Sequence, residues 1–205
     1  MLGRWPAGLP ELFGEAWPDE ADEGIETACE PLDWLGINYY TRKVVADDPD
    51  GWPDRVMPVP VPGALVTETG WEVHAPSLER CLVWVKDRYG YVPIYVTENG
   101  AALADAPQAA NGRIDDPVRI AYLREHLRAV RAAIARGVDV RGYFAWSLMD
   151  NLEWASGFSK RFGLVHVDFE TLERTPKASA HWYREVIRSN GASIDAPLAE
   201  APAGR

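Results

Sequence analysis

The spacing of apolar residues changes period along the chain, and each change marks an element. From residue 117 to 137, Ile120, Leu123, Leu127, Val130 and Ile134 recur at intervals of three and four. That spacing puts them on one face of an α-helix. Asp115 or Asp116 can cap its start, Pro117 sits where a first-turn proline is tolerated, and Gly137 suits its end. Leu78, Leu82, Val85 and Tyr89 form a second helical stripe that Gly90 stops, and a last helix is predicted over residues 177–188. Between the helices lie runs rich in β-branched, aromatic and small residues, at 33–41 (DWLGINYYT), 93–97 (PIYVT) and 138–148 (VDVRGYFAWSL). Such runs read as buried strands of a parallel sheet, and their alternation with helices favours right-handed crossovers. Residues 1–31 read as loop, with Pro6, Pro10 and Pro18 and a short acidic helix over 19–28. Residues 47–62, rich in Pro, Asp and Gly, read as a long surface loop. The chain divides into one domain over residues 1–188 and a disordered tail over 189–205.

Each predicted strand runs into a polar or aromatic cluster. The run 143–154 (YFAWSLMDNLEW) turns from apolar residues into Trp146, Asp150, Asn151, Glu153 and Trp154. In α/β sheets and barrels, ligands sit beyond the C-terminal strand ends. An indole face stacks on the C–H bonds of a sugar, and a carboxylate accepts hydrogen bonds from its hydroxyls. The strand at 93–97 ends in Glu98, Asn99 and Gly100. A carboxylate at a strand end, before a glycine that permits a sharp turn, suits catalysis. Alone, that tripeptide reads better as a solvated turn. The strand at 33–41 ends in Asn38 and Tyr40, and a third such ending is hard to explain by packing.

With 159–168 (SKRFGLVHVD) and 175–179 (TPKAS), these strings resemble the family 1 glycoside hydrolases of the β-glucosidase type, from about Gly3 to Arg188. The resemblance implies an α/β fold, a (β/α)8 TIM barrel. Of that barrel this chain would hold an incomplete C-terminal portion, about strands six to eight with their helices. It implies hydrolysis of β-glucosides with retention, through a covalent glycosyl-enzyme. By position, Glu98 matches the nucleophile and Tyr40 the tyrosine that orients it. Asn38 matches a polar residue of the same pocket, Trp146 the platform under the glucosyl ring, Glu153 and Trp154 the pair on the outer hydroxyls, and Phe162 an aromatic wall nearby. The implied partner is a β-glucoside or related small oligosaccharide. No cofactor and no metal are implied. A carboxylate at Glu153 would repel a 6-phosphosugar, so the expected substrate is a neutral glucoside, with a galactoside or fucoside as alternatives.

The second carboxylate of a retaining enzyme has no match. In the family it is the Glu of an Asn–Glu–Pro string after the fourth strand, and no such string occurs here. The nearest, 29–31 (CEP), puts Glu30 before the strand that holds Asn38, at the wrong end of a barrel. The expectation is a chain that begins after the fifth barrel unit and is inactive alone on ordinary glucosides. The alternative is a non-catalytic sugar-binding fragment, or half of a split enzyme that needs an N-terminal partner.

Composition narrows the class further. The net charge is −10, with acidic residues crowded into 11–33, which argues against nucleic acid or an anionic membrane as partner. No apolar run approaches the roughly 18 residues of a membrane span. Two cysteines, Cys29 and Cys81, suggest a reducing, cytoplasmic setting, and Cys81 reads as helix core. His74, His126, His166 and His181 are scattered and read as structural. Trp84 and Trp182, on helices, read as packing.

Overall fold

The computed structural model describes residues 3–25, 27–104 and 112–196. In chain order its elements are α1 (Leu9–Phe13), β1 (Leu35–Asn38), β2 (Val45–Asp47), β3 (Val56–Pro58), α2 (Pro76–Tyr89), β4 (Ile94–Asn99), α3 (Pro117–Ala135), β5 (Val140–Ala145), β6 (Val165–Val167), β7 (Arg174–Pro176) and α4 (Ala178–Arg188). β1, β4 and β5 form a parallel sheet with β4 in the centre, and α2 and α3 are the crossovers on one face. Leu78, Leu82 and Val85 of α2 pack on Ile94 and Val96 of β4 and on Val130 and Ala133 of α3. A second cluster joins Ile120, Leu123 and Leu127 of α3 to Trp182 and Val186 of α4.

Several expectations shift. The α3 stripe closes on Ala133, fully buried, and Ile134 is 48% exposed, because the inward step from Val130 is three residues rather than four. Trp182 is buried, but Trp84 points away from the Leu82–Val85 stripe and is 56% exposed. The predicted loop 47–62 contains one arm of an antiparallel hairpin, with Val45 opposite Pro58 and Asp47 opposite Val56. Among the described residues of 19–28 no α-helix forms. Turns lead through Gly24, at φ 74°, into a 3-10 turn at Thr27–Cys29. The tail boundary also moves. Ile194 is buried in the second cluster, and Asp195 pairs with Arg128 at 2.7 Å and Arg131 at 2.9 Å. The packed part therefore runs through residue 196, and 197–205 lie outside the described residues.

β4 carries an irregularity at its C-terminal end. Ile37 lies opposite Val96, but Asn38 lies opposite Glu98, so Thr97 is an extra residue. On the other side Val96 pairs with Tyr143 and Asn99 with Ala145, so β5 meets the same extra residue. A bulge resets the alternation of faces. Ile94 and Val96 face the helices, Thr97 and Glu98 face away, and Asn99 faces the helices again, buried beside Tyr122 of α3. Without the bulge, strict alternation would turn Glu98 into the helix-facing core.

The sheet face opposite α2 and α3 is open. Trp34 (53%) and Phe144 (56%) are exposed on it, and Tyr95 meets Trp34 edge-on. Among the described residues, β1 and β5 each pair with β4 alone. No described helix is long and apolar enough to cross a membrane.

Candidate active site

The bulge aims Glu98 at Tyr40. The Tyr40 phenol donates to Glu98 Oε2 at 2.6 Å. Beside them, the Tyr39 N–H donates to the Glu98 carbonyl at 2.9 Å, which holds the ends of β1 and β4 together. Tyr40 is fixed from behind by an aromatic group, with Trp71 at 5.2 Å and Phe162 at 6.2 Å between ring centroids. The next residues lock the same corner. Thr41 donates to the Glu72 carbonyl at 2.9 Å, and Arg42 makes a two-pronged pair with the Glu72 carboxylate at 2.8 and 2.9 Å.

Burial and the hydrogen bond to Glu98 hold the Tyr40 phenol well above its ordinary titration range, so it stays a donor. Burial also raises Glu153, and the charge of Glu98 raises it further. Two carboxylates therefore share one field at the C-terminal end of the sheet. Such a pair offers acceptors to a neutral polyol and repels an anion.

The other expected residues divide. Asn38 does not bond the Tyr40–Glu98 pair. Its carbonyl oxygen accepts from the Thr97 hydroxyl at 2.6 Å, so it pins the bulge. Trp146 follows β5, half-buried, and its N–H donates to the Asn99 carbonyl at 2.9 Å. A Cβ on Gly100 would collide with the Trp146 carbonyl, so this approach requires glycine. Glu153 and Trp154 lie on the excursion beyond β5, and Trp154 is 87% exposed. Phe162 corrects its expectation. At 3% exposure against Tyr40 and Trp71, it has no face left for a sugar and supports Tyr40 instead. Glu30 is exposed ahead of β1, at the opposite strand end from Glu98.

Three further residues shape the site. Trp71, which no sequence motif singled out, packs against Tyr40 at 5.2 Å between ring centroids. Asp150 is buried at the root of the Glu153 excursion. It accepts from Gly163 N at 2.8 Å, Arg161 Nη1 at 3.1 Å and Lys177 Nζ at 3.3 Å. Arg119, also buried, donates to the carbonyls of Ala101 at 2.6 Å and Arg161 at 3.1 Å, and Asp116 holds its Nε at 3.0 Å. It ties the segment after Glu98 to the segment carrying Phe162. The only sequence cue was a charged residue next to the apolar stripe of α3, and a solvated position gives the same cue.

The sequence model of glycosyl hydrolase family 1 matches residues 1–192. The chain belongs to that family. A β-glucosidase of Agrobacterium sp. is 44% identical over 183 residues, 88% of this chain and 39% of that protein. A bifunctional β-D-glucosidase/β-D-fucosidase of Bifidobacterium breve is 41% identical over 94% of this chain and 45% of that protein. A β-glucosidase of Thermotoga maritima, solved in complex with deoxynojirimycin, superimposes with a TM-score of 0.87 at 39% identity, over 92% of this chain and 42% of that one. This family 1 chain thus spans about two fifths of the length of its relatives, and its sheet and helices are part of a (β/α)8 barrel.

Proposed function

We propose that this chain is the C-terminal part of a retaining β-glucosidase, about strands six to eight, with Glu98 as its nucleophile. The supporting observation is the 2.6 Å hydrogen bond from Tyr40 to Glu98 at the ends of neighbouring parallel strands, with a second carboxylate, Glu153, in the same field. Glu98 attacks the anomeric carbon as the glycosidic C–O bond breaks, and the departing oxygen takes a proton from an acid. Water then attacks the glycosyl ester, gives its proton back to that same group as a base, and releases Glu98 and a sugar of retained configuration. Tyr40 orients Glu98, Trp146 lies under the ring, and Glu153 with Trp154 takes the outer hydroxyls. Retaining enzymes place the two catalytic carboxyls roughly 5–5.5 Å apart. The acid/base comes from the rest of the barrel, in the same polypeptide or in a separate N-terminal partner. The substrate is a neutral β-glucoside, with a galactoside or fucoside accepted.

The test is covalent trapping with 2,4-dinitrophenyl 2-deoxy-2-fluoro-β-D-glucoside. Its leaving group needs no proton, and the fluorine slows release of the sugar. In the barrel completed by co-expression with the first five units of a family 1 β-glucosidase, the mass of this chain should rise by one fluoroglucosyl group, mapped to Glu98. Glu98→Gln should take none. A label on another residue, or none, would refute the assignment.

A further inference from the structure

We infer that Asn99 is a positioning residue for the Tyr40–Glu98 pair. This inference rests on the nucleophile reading and concerns how that nucleophile is held.

Asn99 is fully buried, and its amide is used on both sides. Its Nδ2 donates to the Tyr39 carbonyl at 2.7 Å and to the Tyr122 hydroxyl at 3.0 Å. Its Oδ1 accepts from the Tyr143 hydroxyl at 2.5 Å. A backbone carbonyl can only accept, so the contact with Tyr39 fixes which way the amide points. Its main chain is engaged as well, since the Asn99 carbonyl takes the Trp146 N–H.

These bonds meet at the site from three directions. Through the Tyr39 carbonyl, Asn99 holds the peptide that leads into Tyr40. Through its own peptide it holds Glu98. Through its carbonyl it holds Trp146. It is also the first residue after the Thr97 bulge to face the helices again, so its side chain anchors the far side of the bulge to α3 and β5. A bulge is one extra residue in an otherwise regular ladder, and the ladder does not fix how far it kinks. A buried amide with all its bonds made does fix it, because each bond lost leaves an unpaired polar group in the core. Two donated bonds and one accepted bond are more than a hydroxyl, with its single donor, or a carboxylate, with none, can supply at this position.

Asn99→Asp keeps shape and acceptor and loses both donated bonds. In the completed barrel, the fluoroglucosyl label first counts competent sites. Turnover of 4-nitrophenyl β-D-glucoside is then expressed per competent site. A misplaced nucleophile should lower kcat per site by about 10- to 100-fold with KM within about threefold, since displacements near 1 Å cost that much. A merely structural asparagine would reduce the number of labelled sites and leave kcat per site unchanged. If Asn99→Asp does not fold, Tyr143→Phe removes only the bond to Oδ1 and should lower kcat per site about 3- to 10-fold. A per-site kcat within twofold of the parent, in whichever of these variants folds, overturns the inference. If the parent is labelled at Glu98 and the variants match it per site, only the positioning role falls. If the parent is not labelled at Glu98, the nucleophile reading falls and this inference with it.

Discussion

Tyr40→Phe isolates one hydrogen bond. The phenylalanine ring keeps the contacts with Trp71 and Phe162 that hold position 40, so packing is conserved and only the hydroxyl goes. What goes with it is the 2.6 Å bond to Glu98 Oε2. Hydrogen bonds to a charged acceptor contribute about 1.5–3 kcal/mol. At about 1.4 kcal/mol per factor of ten, that corresponds to a loss of roughly 10- to 150-fold in kcat/KM if the bond orients the attacking oxygen. The assay is kcat/KM for 4-nitrophenyl β-D-glucoside in the completed barrel, beside urea melts of both proteins. The melts should agree to within about 1 kcal/mol, because Glu98 is only half-buried and water can replace the phenol. The rate should fall in the glycosylation step, so fluoroglucosyl labelling slows in parallel. Unchanged labelling, with kcat/KM within threefold of the parent, would refute the reasoning and leave Tyr40 as packing.

Two further outcomes can be measured. Gly100→Ala drives a methyl group into the Trp146 carbonyl, which is backbone and cannot swing aside. Overpacking of this kind costs about 1–3 kcal/mol or more, so the urea midpoint should drop and Trp146 fluorescence shift, and an unmoved midpoint would show that the two strand ends separate without strain. His126 is fully buried in α3, and burial pushes its imidazole down to about 4 from 6.5. Above the unfolded value it is neutral in both states. As pH falls from 6.5 to about 4, the unfolded chain takes up a proton that the folded one refuses, so stability drops by roughly 3 kcal/mol. Urea melts at pH 7 and pH 4.5 should show a larger acid loss for the parent than for His126→Gln, and equal losses would contradict the burial argument.

The parts of the fold that could be read in the sequence are those governed by period. The stripe of α3 as far as Val130 and the stop at Gly90 follow from patterns within one element, and both appear in the structure. The strand ends carrying Tyr40, Glu98 and Trp146 stood out because polarity changes there abruptly. What stayed hidden depends on two elements meeting. The Thr97 bulge exists only in the pairing of β4 with both neighbours, so no local pattern announces it. Phe162 was placed by resemblance alone, and no local pattern shows that it and Trp71 pack on Tyr40, because those contacts join separate segments of the chain. Ile194 looked like tail because one apolar residue among small and polar ones carries no period, and Trp182 and Val186 nevertheless bury it.

The chemistry of the site and the open side of the sheet bear on one another. On the proposed reading, Glu98 must be ionised to attack, and Tyr40 has already committed its proton to Glu98. Glu153 lies in the field of that charge, and its work is to accept hydroxyls. None of these three groups can hand a proton to a departing alkoxide while Glu98 attacks. The proton must therefore come from another group, and the sheet face on which Trp34 and Phe144 are exposed is open to further elements. Strands added at the edges of β1 and β5 would cover that face, and their C-terminal ends would then stand across from Glu98. Closing the barrel and supplying the acid are therefore one structural event. An activated glucoside that needs no protonation should lose less than an ordinary one when the remaining strands are withheld.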